Sequence, residues 1–123
     1  MQNDFIDGAL GTPEAVAIVP KVEQKIREFP GKVIFTRDTH GERYLETQEG
    51  KHLPVPHCIK GTKGWEICPQ LEALREAEAI DKVTFGSEKL GELLQEENRK
   101  EQIEDITLAV SYTHLTLPTT PYV

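Results

Sequence analysis

The apolar residues of the chain recur at helical spacing in three segments. In the first, Val22, Ile26 and Phe29 follow Pro20 at steps of four and three, which predicts a helix of about ten residues beginning at Pro20. The second segment, CPQLEALREA (68–77), combines good helix formers with a proline near its start. The third, residues 87–100, begins at an N-capping Ser87 and predicts a helix whose inward residues are Leu90, Leu93 and Leu94.

Three runs rich in β-branched and aromatic residues predict strands between and after these helices. They are KVIFTRD (32–38), AIDKVTFG (79–86) and EDITLAV (104–110). Strands that alternate with helices indicate a parallel sheet with right-handed crossovers, the α/β class. Residues 39–64 contain many glycines and prolines and no apolar period, so we predict a long loop there.

Length and charge narrow the function classes. The chain has 123 residues, enough for one domain and too few for two ordinary ones. A net charge of -7 argues against nucleic-acid binding, which requires a basic surface. No apolar run approaches the roughly 20 residues needed to span a bilayer. The first residues, MQNDFIDGAL, resemble no secretion signal, so a cytoplasmic location is the default expectation.

The two cysteines, Cys58 and Cys68, match neither a zinc knuckle nor a CxxC redox motif. In a cytoplasmic protein, we expect both to be reduced and structural.

Candidate chemistry lies beyond the carboxyl ends of the predicted strands, where parallel sheets bind ligands. TRDTH places Asp38 and His40 two residues apart in an extended segment, so their side chains project from one face. A carboxylate beside an imidazole suits zinc, manganese or iron. The long loop offers His52 and His57 as further ligands, and the prolines in PVPHC, just before His57, stiffen its backbone.

Each of these candidate residues also has a purely structural interpretation. Asp38 could cap the loop and His40 could be a surface residue, and His52, next to a lysine, is typical of a surface position. The segment GTKGW has the wrong spacing for a phosphate-binding loop and predicts a turn leading Trp65 onto the core. Lys82, at the end of a strand, could be an ordinary ion-pair partner of Asp81 or a catalytic cation.

Three segments together resemble the isochorismatase-like cysteine hydrolases. They are MQNDFIDGALG, VIFTRDTHGERYLETQEGKHLPVPHCIKGTKGWEI and DKVTFGS, which occur in order within residues 1 to about 109. The D-x-H pair followed by H-C-x-x-G-T-x-G is most similar to the nicotinamidases of this family. The resemblance implies a three-layer α/β/α fold around a doubly wound, mostly parallel sheet, incomplete in this chain.

The resemblance also implies an activity and its residues. The family amidases hydrolyse nicotinamide to nicotinate and ammonia, in the salvage of NAD, with a divalent metal that receives the pyridine nitrogen. Carried over by position, the metal ligands are Asp38, His40 and His57, with zinc the first expectation and manganese or iron the alternatives. Phe5 would line the pocket for the substrate ring, and Lys82 would be the catalytic lysine.

Two further catalytic residues of the family find no counterpart in the chain. The family aspartate that exchanges the proton directly precedes the segment matching MQNDF, and the nucleophilic cysteine follows the strand at DITLA. Asp4, Cys58 and Cys68 do not match these positions. We therefore expect the natural protein to extend at both ends and this chain alone to be inactive.

Other interpretations remain open. Related family members hydrolyse ureido compounds, N-carbamoyl groups or isochorismate. The chain could also be a non-catalytic domain that binds a metal or another ligand. The expected partner is a small-molecule amide, and a homo-oligomer is left open for the full-length protein.

The last residues, VSYTHLTLPTTPYV (110–123), contain no charged side chain. Residues 110–119 resemble the translated end of a transposase-type sequencing adapter, so we predict a native domain over residues 1–109 and a non-native tail from about Val110, with a natural variant tail as the alternative. Ser111 and His114 are accordingly not counted as a catalytic pair.

Overall fold

A computed structural model of the chain describes residues 1–84 and 86–110 and shows an α/β protein. Its helices are α1 (Pro13–Glu28), α2 (Gln48–His52), α3 (Pro69–Glu72) and α4 (Glu88–Lys100). Its strands are β1 (Thr36–Asp38) and β2 (Ile80–Lys82), and single 3-10 turns occur at Asn3–Phe5, Tyr44–Glu46 and Lys63–Trp65. The predicted non-native tail after Val110 and the residue at position 85 lie outside the described residues.

The two strands pair in parallel, as the sequence predicted. Thr36 is opposite Ile80, and Asp38 is opposite Lys82. Both strands are shorter than predicted, but Phe35 already accepts a hydrogen bond from the Ile80 amide at 2.9 Å. The pairing brings the carboxyl ends of β1 and β2 to one edge of the sheet, which is where ligands bind in α/β proteins.

Gln2 extends this edge with its side chain. The amide of Asp38 donates to Gln2 Oε1 at 2.8 Å, and Gln2 Nε2 donates to the carbonyls of Asp38 and Trp65 at 2.7 and 2.8 Å. Gln2 is 3% exposed. A side-chain amide thus satisfies the backbone of Asp38 much as a neighbouring strand would, which fixes the position of the last residue of β1.

Helix α1 begins earlier than predicted. Thr12 caps it by accepting from the Ala15 amide, so Pro13 occupies the first helical position and Pro20 lies inside the helix. Pro20 lacks the amide that would bond to the Val16 carbonyl, and both residues are exposed. The predicted apolar stripe is partly correct, because Val22 and Ile26 pack on the core.

The core lies between α1, α3 and the N-terminal turn. Its buried residues are Ile6, Val19, Ile67, Cys68 and Leu71. Leu71 lies in α3, which ends at Glu72 instead of continuing through residue 77 as predicted. Arg75 donates to the Glu72 carboxylate and to the Ala77 carbonyl, contacts that hold a turn in place of further helix.

The last two predicted elements have different outcomes. Ser87 caps α4 by accepting from the Leu90 amide, as expected, and the inward leucines of α4 are half-buried. The predicted strand at 104–110 is wrong for the described structure, where these residues are exposed and form no ladder. A strand needs a partner to satisfy its backbone, and no described strand lies beside this segment.

The predicted long loop at 39–64 is confirmed in outline and contains one short helix. Thr47 caps α2 by accepting from the Gly50 amide. Gly50 is buried against the preceding turn, where a Cβ would lie 2.1 Å from the Tyr44 carbonyl oxygen. Only glycine fits this approach, and it holds α2 against the Tyr44 turn.

Among the described residues, no helix is long and apolar enough to cross a bilayer.

The packing of α2 yields a stability prediction. Gly50→Ala forces a methyl group against backbone, so we expect the free energy of unfolding to fall by about 1–3 kcal/mol. Gly91→Ala is the matched control, because a Cβ at this exposed site in α4 meets nothing within 4 Å and alanine is the better helix former. Urea denaturation followed by circular dichroism measures both; equal stability of the Gly50 variant and the wild type would contradict the close packing of α2.

Candidate metal centre

Asp38 and His40 are placed at the carboxyl end of β1. Thr39 donates to the Lys82 carbonyl at 2.8 Å, so the extended backbone continues past Asp38. Residues two apart in extended backbone face the same side. The local conformation therefore presents the Asp38 carboxylate and the His40 imidazole together, as the D-x-H spacing predicted.

His57 reaches the same place because its segment pairs with His40. The His40 amide donates to the Cys58 carbonyl, and the Lys60 amide donates to the His40 carbonyl, both at 2.9 Å. These two bonds form a parallel bridge between His40 and Ile59. These two hydrogen bonds close the loop between His40 and Cys58 and bring His57 to the end of β1.

The three predicted ligands form one cluster. Asp38, His40 and His57 each offer a ligand atom, and these atoms lie within 4.8 Å of one another. His40 is 7% and His57 1% exposed. His57 Nδ1 lies 2.7 Å from the Val55 carbonyl oxygen. A proton on Nδ1, donated to that carbonyl, leaves Nε2 as the lone-pair donor, the usual second contact of a metal-binding histidine.

The environment favours the metal-binding form of His40. Burial lowers the pKa of His40, and the nearby His57 lowers it further. A lowered pKa keeps the imidazole neutral to lower pH, and the neutral form is the one that coordinates a metal.

Glu49, which the sequence did not suggest, lies next to two of the three predicted ligands. From α2, Glu49 Oε2 lies 3.2 Å from His40 Nε2 and 3.8 Å from His57 Nε2, and its side chain is 13% exposed. His40 Nε2 and Glu49 Oε2 are both buried and make no hydrogen bond to the described residues. Buried polar atoms are rarely left without a hydrogen bond, and a cation between His40 and Glu49 would satisfy both of these atoms.

Two aromatic side chains enclose the histidines. Tyr44 is 1% exposed, its hydroxyl donates to the Leu53 carbonyl at 2.7 Å, and its ring centre lies 4.7 Å from His40 and 5.0 Å from His57. Phe5, the predicted pocket residue, lies edge-on to His57 at 5.4 Å between ring centres. Phe5 thus lies beside the cluster, and its role as a pocket residue stays a prediction.

Lys82 lies at the same centre. Its ammonium contacts Asp38 Oδ1, and the two side chains are 17% and 13% exposed. Asp81, the alternative partner, instead pairs with Arg37 at 2.6 Å. The structure thus pairs Lys82, the predicted catalytic lysine, with Asp38, a predicted metal ligand. The pairing uses Asp38 Oδ1, so a cation would be coordinated through Oδ2.

Neither cysteine is suited to act as a nucleophile. Both are free and buried. Burial raises the pKa of the Cys58 thiol strongly, and the Asp38 and Asp4 carboxylates raise it further. A thiol of raised pKa carries little thiolate at neutral pH, so Cys58 is structural, and Cys68 belongs to the apolar core.

The remaining candidates take ordinary positions. His52 is exposed at the end of α2, outside the cluster. GTKGW forms the expected turn, from which Trp65 Nε1 donates to Thr39 Oγ1 at 2.9 Å while the Arg37 guanidinium stacks 3.8 Å from the Trp65 ring centre. This turn supports the strand end that carries the ligands.

Comparison with known proteins agrees with this arrangement. The Isochorismatase domain family matches residues 1–120. The chain is also similar to the crystal structure of pyrazinamidase of Pyrococcus horikoshii in complex with zinc, with a TM-score of 0.60 and 30% sequence identity. This match covers 80% of the chain and 61% of the pyrazinamidase, so the chain spans less than two thirds of that protein. Comparison with curated protein sequences gives no match.

A parallel sheet edge that carries a carboxylate, two buried histidines and a lysine, together with a family match over nearly the whole sequence, gives one conclusion: the chain belongs to the isochorismatase-like family of hydrolases.

Proposed function

We propose that this chain forms the metal-binding part of a nicotinamidase-like amidohydrolase, which converts nicotinamide and water to nicotinate and ammonia. The observation that carries the proposal is the clustering of Asp38, His40 and His57 at the carboxyl end of β1. Support comes from the 30% identical pyrazinamidase, which was crystallised with zinc. Such an activity would serve the salvage of NAD in the cytoplasm.

The donor set fits a divalent cation. Two neutral imidazoles and a carboxylate, with Glu49 as a second carboxylate, suit zinc and also manganese or iron. Zinc is favoured because the similar pyrazinamidase binds it. When bound, the cation supplies a Lewis acid that holds and orients a donor atom of the substrate.

The protein groups around the cation site supply positioning and charge. Phe5 provides an aromatic wall beside His57, where a flat heterocycle would lie. Lys82 holds the Asp38 carboxylate from the side of β2 and places one positive charge at the centre. In the family reaction a lysine of this kind holds the aspartate that takes the proton of the nucleophilic cysteine and returns it to the departing ammonia. The thioester left on the cysteine is then hydrolysed by water to the acid and the free thiol.

Two other functions remain as alternatives. A related substrate, such as a ureido or N-carbamoyl compound or isochorismate, would use the same family fold with other pocket residues. A non-catalytic metal-binding domain is favoured by one observation, that both cysteines are buried and Cys58 has a raised pKa. For these 123 residues alone we accordingly expect metal binding without hydrolysis.

Zinc binding by the three ligands is tested by alanine variants. We expect Asp38→Ala, His40→Ala and His57→Ala each to weaken Zn²⁺ binding by about 100-fold or more, because each removes a direct ligand, which matters more than the loss of a residue that only orients one. His52→Ala is the matched control and should bind as the wild type does, since His52 is exposed and outside the cluster. Competition against a chromophoric chelator gives the dissociation constants.

The same titration tests Glu49. Glu49→Gln keeps the shape of the side chain and removes its charge, and we expect a loss of affinity of about tenfold. Glu46→Gln makes the same change at a side chain that is 71% exposed and should have no effect. Equal affinities for these two variants would remove Glu49 from the donor set, and wild-type affinity in all three alanine variants would end the metal proposal.

The substrate class is tested with a pair of matched amides. Nicotinamide and benzamide differ in the ring nitrogen, so only nicotinamide can donate that nitrogen to a metal. We expect nicotinamide to change the visible absorption of the Co²⁺-loaded chain and benzamide to leave it unchanged. A response to neither amide, or an equal response to both, would speak against nicotinamide and leave the other substrates of the family as the better candidates.

A further inference from the structure

Asp4 lies at the meeting point of three segments of the site, although the family chemistry gives it no task. Its Oδ2 accepts a hydrogen bond from the Cys58 amide at 2.7 Å, and its Oδ1 accepts from the Ala9 amide at 3.3 Å. The first of these bonds spans 54 positions in sequence. It ties the N-terminal turn directly to the residue after His57.

Two glycines from separate segments pack closely against the Asp4 carboxylate. A Cβ at Gly64 would lie 2.2 Å from Asp4 Oδ2, and a Cβ at Gly8 would lie 2.3 Å from Asp4 Oδ1. Neither glycine has a positive φ, so a side chain at either position is opposed by contact with Asp4, and at Gly8 a Cβ would also lie 2.7 Å from Asp4 Cα. The carboxylate therefore has a confined position.

The backbone that Asp4 holds is unusual. Cys58 has a φ of 50°, and among the described residues it is the one non-glycine with a positive φ. This conformation is sparsely populated by residues with a side chain and persists only where the surrounding structure imposes it. The Asp4 bond to the Cys58 amide and the His40 bond to the Cys58 carbonyl impose it from both sides.

This peptide is also the one that carries His57. The Cys58 amide and the His57 carbonyl share one peptide plane, so fixing the amide direction fixes the backbone from which the imidazole projects. The Cys58 carbonyl in turn is bonded to the amide of His40. Through these two hydrogen bonds, the Asp4 carboxylate helps to fix the distance between His40 and His57, although Asp4 itself is not a metal ligand.

We propose that Asp4 is a positioning residue of the metal centre, whose carboxylate fixes the His57–Cys58 peptide and thereby sets the place of the His57 imidazole. The proposal rests on the proposed metal site. Asp4→Asn can place its one amide oxygen toward the Cys58 amide and gives up only the longer bond from the Ala9 amide, whereas alanine leaves the buried Cys58 amide unsatisfied.

The test is a Zn²⁺ competition titration of the 123-residue chain and its Asp4→Ala, Asp4→Asn and Asp7→Ala variants. We expect Asp4→Ala to weaken zinc binding by about tenfold or more, the usual effect of losing a residue that orients a ligand. Asp4→Asn should restore affinity close to the wild-type value. Asp7→Ala removes an exposed acid from the same turn and should bind as the wild type does.

Two readouts separate positioning from general stability. The visible spectrum of the Co²⁺ form should change in Asp4→Ala and not in Asp4→Asn or Asp7→Ala, because it reports ligand geometry. Far-UV circular dichroism establishes that the variants are folded. Unchanged affinity and spectrum in Asp4→Ala, or equal losses in Asp4→Ala and Asp4→Asn, would overturn the proposal.

A second variant covers the case in which Asp4→Ala does not fold. Gly64→Ala keeps the carboxylate but displaces it, so we expect a similar loss of zinc affinity, and wild-type affinity would again overturn the proposal. A wild-type chain that binds no zinc is a different outcome, because it would remove the metal centre itself.

Discussion

The site depends on the backbone pairing between His40 and the segment Cys58–Lys60. Two hydrogen bonds of 2.9 Å join these segments, and they hold His57 beside the end of β1. Closing a loop of this length has an entropic cost that grows slowly with its length, so a few well-placed bonds can hold it. The loop is ordered along its course by α2 and its Thr47 cap, by the buried Tyr44, and by the two prolines just before His57.

The N-terminal turn supports the same edge from the other side. Gln2 satisfies the backbone of Asp38 with its side-chain amide, and Asp4 satisfies the backbone of Cys58 with its carboxylate. Each ligand-bearing segment is therefore held by a polar side chain from one short stretch of sequence. This explains why that stretch contains side chains with strong hydrogen-bonding capacity in a largely buried setting, where an unsatisfied backbone group would be costly.

Much of the site could be predicted from the sequence, for local reasons. Asp38 and His40 share a face because extended backbone alternates, and His57 lies in a stiff, proline-containing segment that matches a family motif. Glu49 could not be found in this way, because its approach to His40 depends on how α2 folds back onto Tyr44. The only local signal was Thr47 as an N-cap, which predicts a helix start but not the direction of a carboxylate.

The fold shows the same division between local and long-range information. The parallel pairing of β1 and β2 and the Ser87 cap follow from pattern, whereas the start of α1 was misplaced because Pro20 suggested a first turn that Thr12 and Pro13 provide. The segment at 104–110 has strand-forming residues but no described neighbour, and strand formation depends on that neighbour more than on propensity.

The central claim is that nitrogen and oxygen atoms of Asp38, His40 and His57 hold a divalent cation, with Cys58 excluded although it adjoins a ligand. X-ray absorption spectroscopy of the zinc-loaded chain tests this claim directly, because zinc–sulfur distances of about 2.3 Å differ from zinc–nitrogen and zinc–oxygen distances of about 2.0–2.2 Å. The account predicts a shell of nitrogen and oxygen atoms with the scattering of two imidazoles. A sulfur atom in the shell, or a shell without imidazole, would contradict it.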